Sequence, residues 1–282
     1  MTNKVFNTVR VFGRLLTRMK RRWLLTAVVM LFLGGLVFYL VVRPPVLPQP
    51  AIYLLDDVIL PIQGQAVLVF SPHPDDETIA AGGYIAASVR ESADVRIVLI
   101  TDGNKGLNNK NTRYLEFKQA TAKLGIQGSN LIFLGFPDGK LRNYGGNTLY
   151  ERLKEQIDLF DSDIIIYPDT RDDHPDHSTT GRIIEDILKE ESSVRISYQY
   201  LVHYKMFFPQ PRKFDTELYL LPPINLVSFN SEWHRFMLPQ EVEDLKVEAT
   251  YAYRSQLRDP LSRSLLLSSI RKNELFAVLP FP

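Results

Sequence analysis

Residues 65–91 read QAVLVFSPHPDDETIAAGGYIAASVRE. The apolar run 65–70 suits a buried strand, and 77–91 has the spacing of a helix. Between them, His73, Asp75, Asp76 and Glu77 crowd into five positions. Ionisable groups at the end of a buried strand are costly unless something compensates them, and a metal ion would do so. Glu77 at a helix start also suits the helix dipole. The Gly82–Gly83 pair fits close helix–sheet packing and does not form a phosphate loop.

Working outward, the same alternation repeats. Strands are expected at 94–101, 130–135 and 163–168, and helices at 111–125, 148–160 and 178–191. Asn111 is expected to cap its helix and Gly125 to end it, with Leu115, Ala122 and Leu124 on one face. Ser178 is the expected cap of the next helix. Strands that are apolar throughout, separated by amphipathic helices, indicate a parallel sheet covered on both faces. The expected fold is α/β, a doubly wound, Rossmann-like three-layer sandwich with a mostly parallel sheet of order near 3-2-1-4-5. A further strand is expected at 194–204 and a helix at 238–257. The stretch 205–237, rich in proline and aromatics, gives no clear pattern.

Each of the first four strands ends in a polar cluster: HPDDE (73–77), TDG (101–103), FPDG (136–139) and DTRDDHPDH (169–177). They all fall on the carboxyl edge, where open α/β sheets bind ligands at the reversal of strand order. The first and fourth strands are neighbours there, so the two His-containing clusters face each other. His73, Asp76 and His177 make a facial set of two imidazoles and one carboxylate. This suits zinc with an open position, with Fe(II) as the alternative. Such a metal lowers the pKa of bound water to about 7 and polarises a carbonyl. Asp75 stands beside the ligands as a general base. His174 is placed to steady an oxyanion or protonate a leaving amine, with Asp176 or Asp173 orienting its ring. Asp102 and Asp138 are candidates for the metal surround or the substrate. His203 and His234 belong to no cluster and are read as structural.

Composition limits the function classes. Hydrophobic residues make up 45% of 282, ample for one large core. There is no cysteine, which excludes disulfides, Cys-ligated zinc and a thiol nucleophile. Residues 1–22 hold seven basic side chains and no acidic one, while the remainder is net acidic, a distribution unlike that of a nucleic-acid binder. Residues 23–42 carry no charge and are long enough to span a bilayer. The basic cluster before them predicts a cytoplasmic N-terminus and a catalytic part outside the membrane. The expected organisation is a basic head (1–22), a single transmembrane anchor (23–42), a proline-rich stalk and lead-in (43–63) and a catalytic domain (64–282).

The motifs PHPDDE (72–77), TDG (101–103), RYLEFKQATAKLG (113–125), LGFPDG (134–139), HPDH (174–177) and KVEATYAYRSQ (246–256) together resemble the PIG-L/LmbE-like family of metal-dependent N-deacetylases. The resemblance covers about residues 64–257. It implies zinc on His73, Asp76 and His177, Asp75 as base, His174 as the second catalytic side chain, and Arg113 and Asp138 at the sugar. It also implies amide hydrolysis of an N-acetylglucosamine conjugate, which outside the membrane would be a glycolipid or envelope glycan. Two other readings stay open at this point. One is a weakly catalytic glycan-binding membrane protein of the same fold. The other is a metal-dependent hydrolase of another bond, such as a phosphoester, with Asp102, Asp172 and Asp173 as spare carboxylates.

Overall fold

The structure is a computed structural model that describes residues 21, 23–39, 46–104, 109–144, 147–191, 195–205, 208–228 and 232–278. The chain divides into two units, Met1–Pro45 and Val46–Pro282.

In the first unit, residues 23–39 are helical and their apolar side chains are exposed. No helix among the described residues is long and apolar enough to cross a membrane, so the transmembrane helix expected at 23–42 has no support among them. Residues 40–42, and the basic head apart from Arg21, lie outside the described residues.

Among the described residues, the second unit has eight strands in one sheet. In chain order they are β1 (Asp56–Asp57), β2 (Ala66–Ser71), β3 (Asp94–Thr101), β4 (Leu131–Phe136), β5 (Ile164–Pro168), β6 (Ile196–Tyr200), β7 (Glu232–Met237) and β8 (Asn273–Val278). The helices are α1 (Asp76–Arg90), α2 (Lys110–Lys123), α3 (Thr148–Leu159), α4 (Pro175–Glu191), α5 (Gln240–Thr250), α6 (Arg254–Arg258) and α7 (Pro260–Ser268). The strand order is β1-β7-β8-β6-β5-β2-β3-β4. The run β4-β3-β2-β5-β6 is parallel throughout and is the 3-2-1-4-5 order expected. β8 is antiparallel to both β6 and β7.

Successive side chains of a strand point to opposite faces. Here both faces are buried. Val67, Val69, Ile97, Leu99, Ile164 and Ile166 pack into one core with α1, α2 and α5. Leu68, Phe70, Val98, Ile100, Ile165 and Tyr167 pack into the other with α3 and α4. This explains the uninterrupted apolar runs.

Several expectations are corrected. Asn109, not Asn111, caps α2, its side chain accepting from the Asn111 amide at 2.8 Å. The buried face of α2 is Arg113, Glu116, Phe117, Ala120 and Thr121, whereas Leu115 and Ala122 are exposed. α4 starts at Pro175, so Ser178 lies within its first turn. Proline at the first helical position is favourable because its missing N–H has no intrahelical partner there. The helix expected over 238–257 stops at Thr250 and resumes at Arg254. The intervening turn sends Tyr253 to Glu77, and the start of α6 sends Ser255 to Glu116. The lead-in packs on the body, with Ile52 fully buried and β1 paired to β7. Residues 275–278 belong to strand β8, and residues 279–282 lie outside the described residues.

A buried ion pair ties β8 to α5, and both partners also bond to the backbone of α1. Lys246 Nζ lies 2.6 Å from Glu274 Oε1, both side chains being almost fully shielded. Glu274 accepts from the amides of Gly83 and Tyr84 at 2.7 Å each, and Lys246 donates to the Ile79 carbonyl at 3.1 Å. A Cβ on Gly83 would lie 2.2 Å from Leu238 and 3.3 Å from the Glu274 carboxylate. The close packing expected of the glycine pair is therefore met at Gly83.

Candidate active site

The turn after β2 and the start of α1 deliver His73, Asp75 and Asp76 to the carboxyl edge, and the turn after β5 and the first turn of α4 deliver Asp172, His174 and His177 beside them. The two His-containing clusters meet as the strand order requires. His73 Nδ1 lies 3.1 Å from Asp76 Oδ2 and 3.2 Å from His177 Nε2, and His177 Nε2 lies 2.9 Å from Asp76 Oδ2. These three atoms form a nearly equilateral triangle of buried donors.

The far ring nitrogens are held by carboxylates. His73 Nε2 faces Asp176 Oδ2 at 3.2 Å, and His177 Nδ1 faces Asp172 Oδ2 at 3.2 Å. With protons on those far nitrogens, both rings turn lone pairs toward Asp76. Three electron-rich atoms within about 3 Å of one another need a cation between them, and a backing carboxylate on each histidine is the usual outer support of a metal ligand. The donor set therefore fits a divalent metal such as zinc. The same charge balance acts on protons. Burial opposes charge on His73, but Asp76 and Asp176 outweigh it and raise the ring's pKa to about 9. Burial likewise opposes charge on His177, yet Asp76 and Asp172 hold it well above its ordinary value. Asp76, despite burial, is held well below the carboxylate range by the two imidazoles.

Asp75 sits beside this triangle with φ of 138°. Its carboxylate meets Arg113 Nη2 at 3.1 Å, and Arg113 also donates to the Pro74 carbonyl. Burial raises the Asp75 pKa, and the guanidinium opposes that rise. Glu77 holds the Asp75 backbone, its Oε2 accepting from the Asp75 amide at 3.2 Å. It lies in the first turn of α1, as expected, but is fully buried and also accepts from Ser71, Thr78 and Tyr253, so it is a structural hub as well.

His174 Nδ1 accepts from the Asp176 amide at 3.2 Å. Its proton in the neutral ring therefore sits on Nε2. Burial, helped by His73 and His177, pushes its pKa down to about 3, so the ring is neutral near pH 7. Both sequence-based assignments for its orientation change. The Asp176 carboxylate turns to His73 and to the amides of Gly139 and Leu141. Asp173 is exposed and holds the turn at 203–205 through the Lys205 amide. Asp102 also moves from the expected role: its Oδ1 accepts from the amides of Asn104 and Asp138, so it shapes a turn. Asp138 reaches the site, with Oδ1 3.4 Å from His73 Nε2.

Two residues take places at the site other than those the sequence reading gave them, Asp172 as a spare carboxylate and His203 as a structural residue. Asp172 backs His177 and also accepts from the amides of His174, Val202 and His203. His203 joins the site, its ring 4.9 Å from His177 and 5.3 Å from His174. A cavity of about 800 Å³ opens over the triangle. Asp75, Arg113, Asp138, His174, His203, Ser255, Gln256 and Arg258 are among the residues that line it.

Residues 68–188 match the PIG-L family, described as GlcNAc-PI de-N-acetylase. A Bacillus cereus protein named "Probable N-acetyl-alpha-D-glucosaminyl L-malate deacetylase 2" is 33% identical over 130 residues, covering 42% of this chain and 58% of that protein. A 1D-myo-inositol 2-acetamido-2-deoxy-alpha-D-glucopyranoside deacetylase of Mycobacterium sp. (strain KMS) is 31% identical over 150 residues, covering 42% of this chain and 48% of that protein. The chain thus spans about half the length of these curated relatives. Among solved structures, N,N'-diacetylchitobiose deacetylase from Pyrococcus horikoshii superposes with a TM-score of 0.54 at 19% identity, covering 71% of this chain and 73% of that one. That likeness is one of fold. Residues 68–188, which hold both the HPDD turn and the HPDH helix start, form a PIG-L family domain.

Proposed function

We propose that the chain is a zinc-dependent N-deacetylase that removes the acetyl group from an N-acetylglucosamine-type sugar. The observation that carries this reading is the buried triangle of His73, Asp76 and His177, with Asp75 and His174 flanking it at the mouth of one cavity. The names of the relatives and the matched family point to the same chemistry.

Zinc held by His73 Nδ1, Asp76 Oδ2 and His177 Nε2 would supply Lewis-acid polarisation of the amide carbonyl and a more acidic water. The remaining steps belong to this chain's own side chains. Asp75 takes a proton from the attacking water as the new C–O bond forms. Arg113 opposes the burial-driven rise of the Asp75 pKa and aims its carboxylate. The neutral His174 offers its Nε2–H to the oxygen on which charge develops. The C–N bond then breaks, the proton held by Asp75 passes to the departing nitrogen, and acetate and a free amine result. Asp138 and Arg113 orient sugar hydroxyls in this reading, which their position on the cavity wall supports.

The uncharged run 23–42 and the basic cluster before it support anchoring in a bilayer with the catalytic unit on the extracytoplasmic side, and hence a lipid-linked or envelope sugar as substrate. A reporter fused after residue 282 tests the topology, and activity of the reporter in the cytoplasm contradicts it. Acetate release from N-acetylglucosamine compounds by the zinc-loaded full chain tests the chemistry. Failure to release acetate while one zinc is held would contradict the deacetylase reading and favour glycan binding without turnover.

A further inference from the structure

Two routes of polar contact reach Asp75, and both start at one place late in the chain. The first runs to its backbone. Tyr253 is fully buried, and its hydroxyl donates to Glu77 Oε1. Glu77 Oε2 accepts from the Asp75 amide at 3.2 Å. The second runs to its carboxylate. Ser255 donates from its amide to Glu116 Oε1 at 2.7 Å and from its hydroxyl to Glu116 Oε2 at 2.6 Å. Glu116 Oε2 lies 3.7 Å from Arg113 Nη1, and Arg113 Nη2 meets Asp75 Oδ2 at 3.1 Å. Tyr253 touches this route too, because the Arg113 guanidinium lies 5.8 Å from the centre of its ring.

Asp75 needs such support. Its φ of 138° is a conformation that a residue with a side chain rarely adopts, and it persists only where the surroundings over-determine it. Glu77 and Glu116 are both buried, so each carboxylate needs donors to hold it in place. Tyr253 and Ser255 supply them from outside the 68–188 family match, which contains Asp75, Glu77, Arg113 and Glu116.

We propose that Tyr253 and Ser255 are positioning residues for Asp75. Tyr253 sets its backbone through Glu77, and Ser255 sets its carboxylate through Glu116 and Arg113. The inference rests on Asp75 being the base of the proposed deacetylase. A base works only within hydrogen-bond reach of the attacking water, and a misplacement of about 1 Å can cost about 100-fold in rate. Ser255 also lines the cavity. A substrate contact there would appear in KM, whereas aiming the base appears in kcat.

The test places Tyr253→Phe and Ser255→Ala in wild type and in Asp75→Asn, on the zinc-loaded full chain. In wild type, Tyr253→Phe is expected to lower kcat about 10- to 100-fold with KM and zinc content unchanged. Ser255→Ala should lower kcat less, because the Ser255 amide still holds Glu116. In Asp75→Asn neither substitution should lower kcat further, since no base is left to aim. Equal losses in both backgrounds, or an unchanged kcat in wild type, overturn the proposal. Ser255→Ala removes one hydroxyl and keeps the test open if Tyr253→Phe does not fold. Amide exchange supplies a readout that needs no turnover. Exchange across residues 73–77 should be about tenfold faster in Tyr253→Phe, with β2 unchanged. Unchanged exchange at 73–77 overturns the Tyr253 route. Faster exchange in the variant, with no acetate from wild type, sinks the deacetylase reading while the hold on Asp75 stands. Acetate from wild type, with neither kcat nor exchange altered in the variants, sinks the positioning role and leaves the deacetylase reading.

Discussion

The Tyr253 hydroxyl donates to Glu77 Oε1, joining the turn after α5 to the first turn of α1. Through Glu77 Oε2 this contact continues to the Asp75 amide. A residue far along the chain thus holds the backbone of the proposed base.

Glu77 sets a pH dependence. Burial pushes its pKa from an ordinary 4.5 up to about 7, against the hydrogen bonds from Thr78 and Tyr253. Between those values the folded chain keeps a proton that the unfolded chain has released. The contribution of Glu77 to stability is therefore retained below pH 4.5 and lost as pH rises toward 7, by about 3 kcal/mol in all. Glu77→Gln removes the titration. Urea unfolding from pH 4 to 8 should show wild-type stability falling relative to the variant across that window. A difference that is flat with pH contradicts the account.

Asp172→Asn tests the support of the proposed metal ligand His177. The substitution keeps the volume and removes the charge that holds His177 Nδ1–H. Zinc affinity, measured by competition with a chelator, should fall about 10- to 100-fold. Unchanged affinity would mean that Asp172 serves only the turn amides.

Lys246→Met leaves Glu274 buried without its cation. Breaking such a pair from one side costs about 3–5 kcal/mol. The double substitution Lys246→Met/Glu274→Gln should be milder, because no charge is stranded. Denaturant midpoints decide this, and equal losses for the single and double variants would refute it.

Gly181 lies one turn after His177 on α4, where the helix presses on the end of β5. A Cβ there would lie 2.3 Å from the Pro168 carbonyl oxygen. Backbone cannot yield as a side chain can, so Gly181→Ala should cost about 1–3 kcal/mol and shift His177. Zinc affinity and the thermal midpoint should fall together, and loss of neither would rule out the crowding.

The parallel half of the fold was legible because its strands are buried on both faces. Runs such as AVLVF and IIIY leave no polar face, and turn signals separate them from the helices. The antiparallel half was not. β7, EWHRFM, alternates poorly because Arg235 and His234 are only partly shielded, and β8, NELFAV, hides Asn273 and Glu274 inside the sheet. The triangle His73, Asp76 and His177 followed from two motifs on adjacent strand ends. The supporting residues did not, because their partners are set by tertiary packing. Asp172, Asp173 and Asp176 are equivalent by spacing, and only the start of α4 at Pro175 decides which of them backs which imidazole. His203 has no neighbouring motif, and its place comes from the turn that Asp172 holds.

The central claim is that Asp75 acts as base beside a metal held by His73, Asp76 and His177. The most direct measurement is acetate release by zinc-loaded wild type and Asp75→Asn, with zinc content determined on both. The account predicts one zinc in each, and a rate about 10²- to 10⁴-fold lower in the variant. A variant that keeps its zinc and deacetylates as fast as wild type would contradict it.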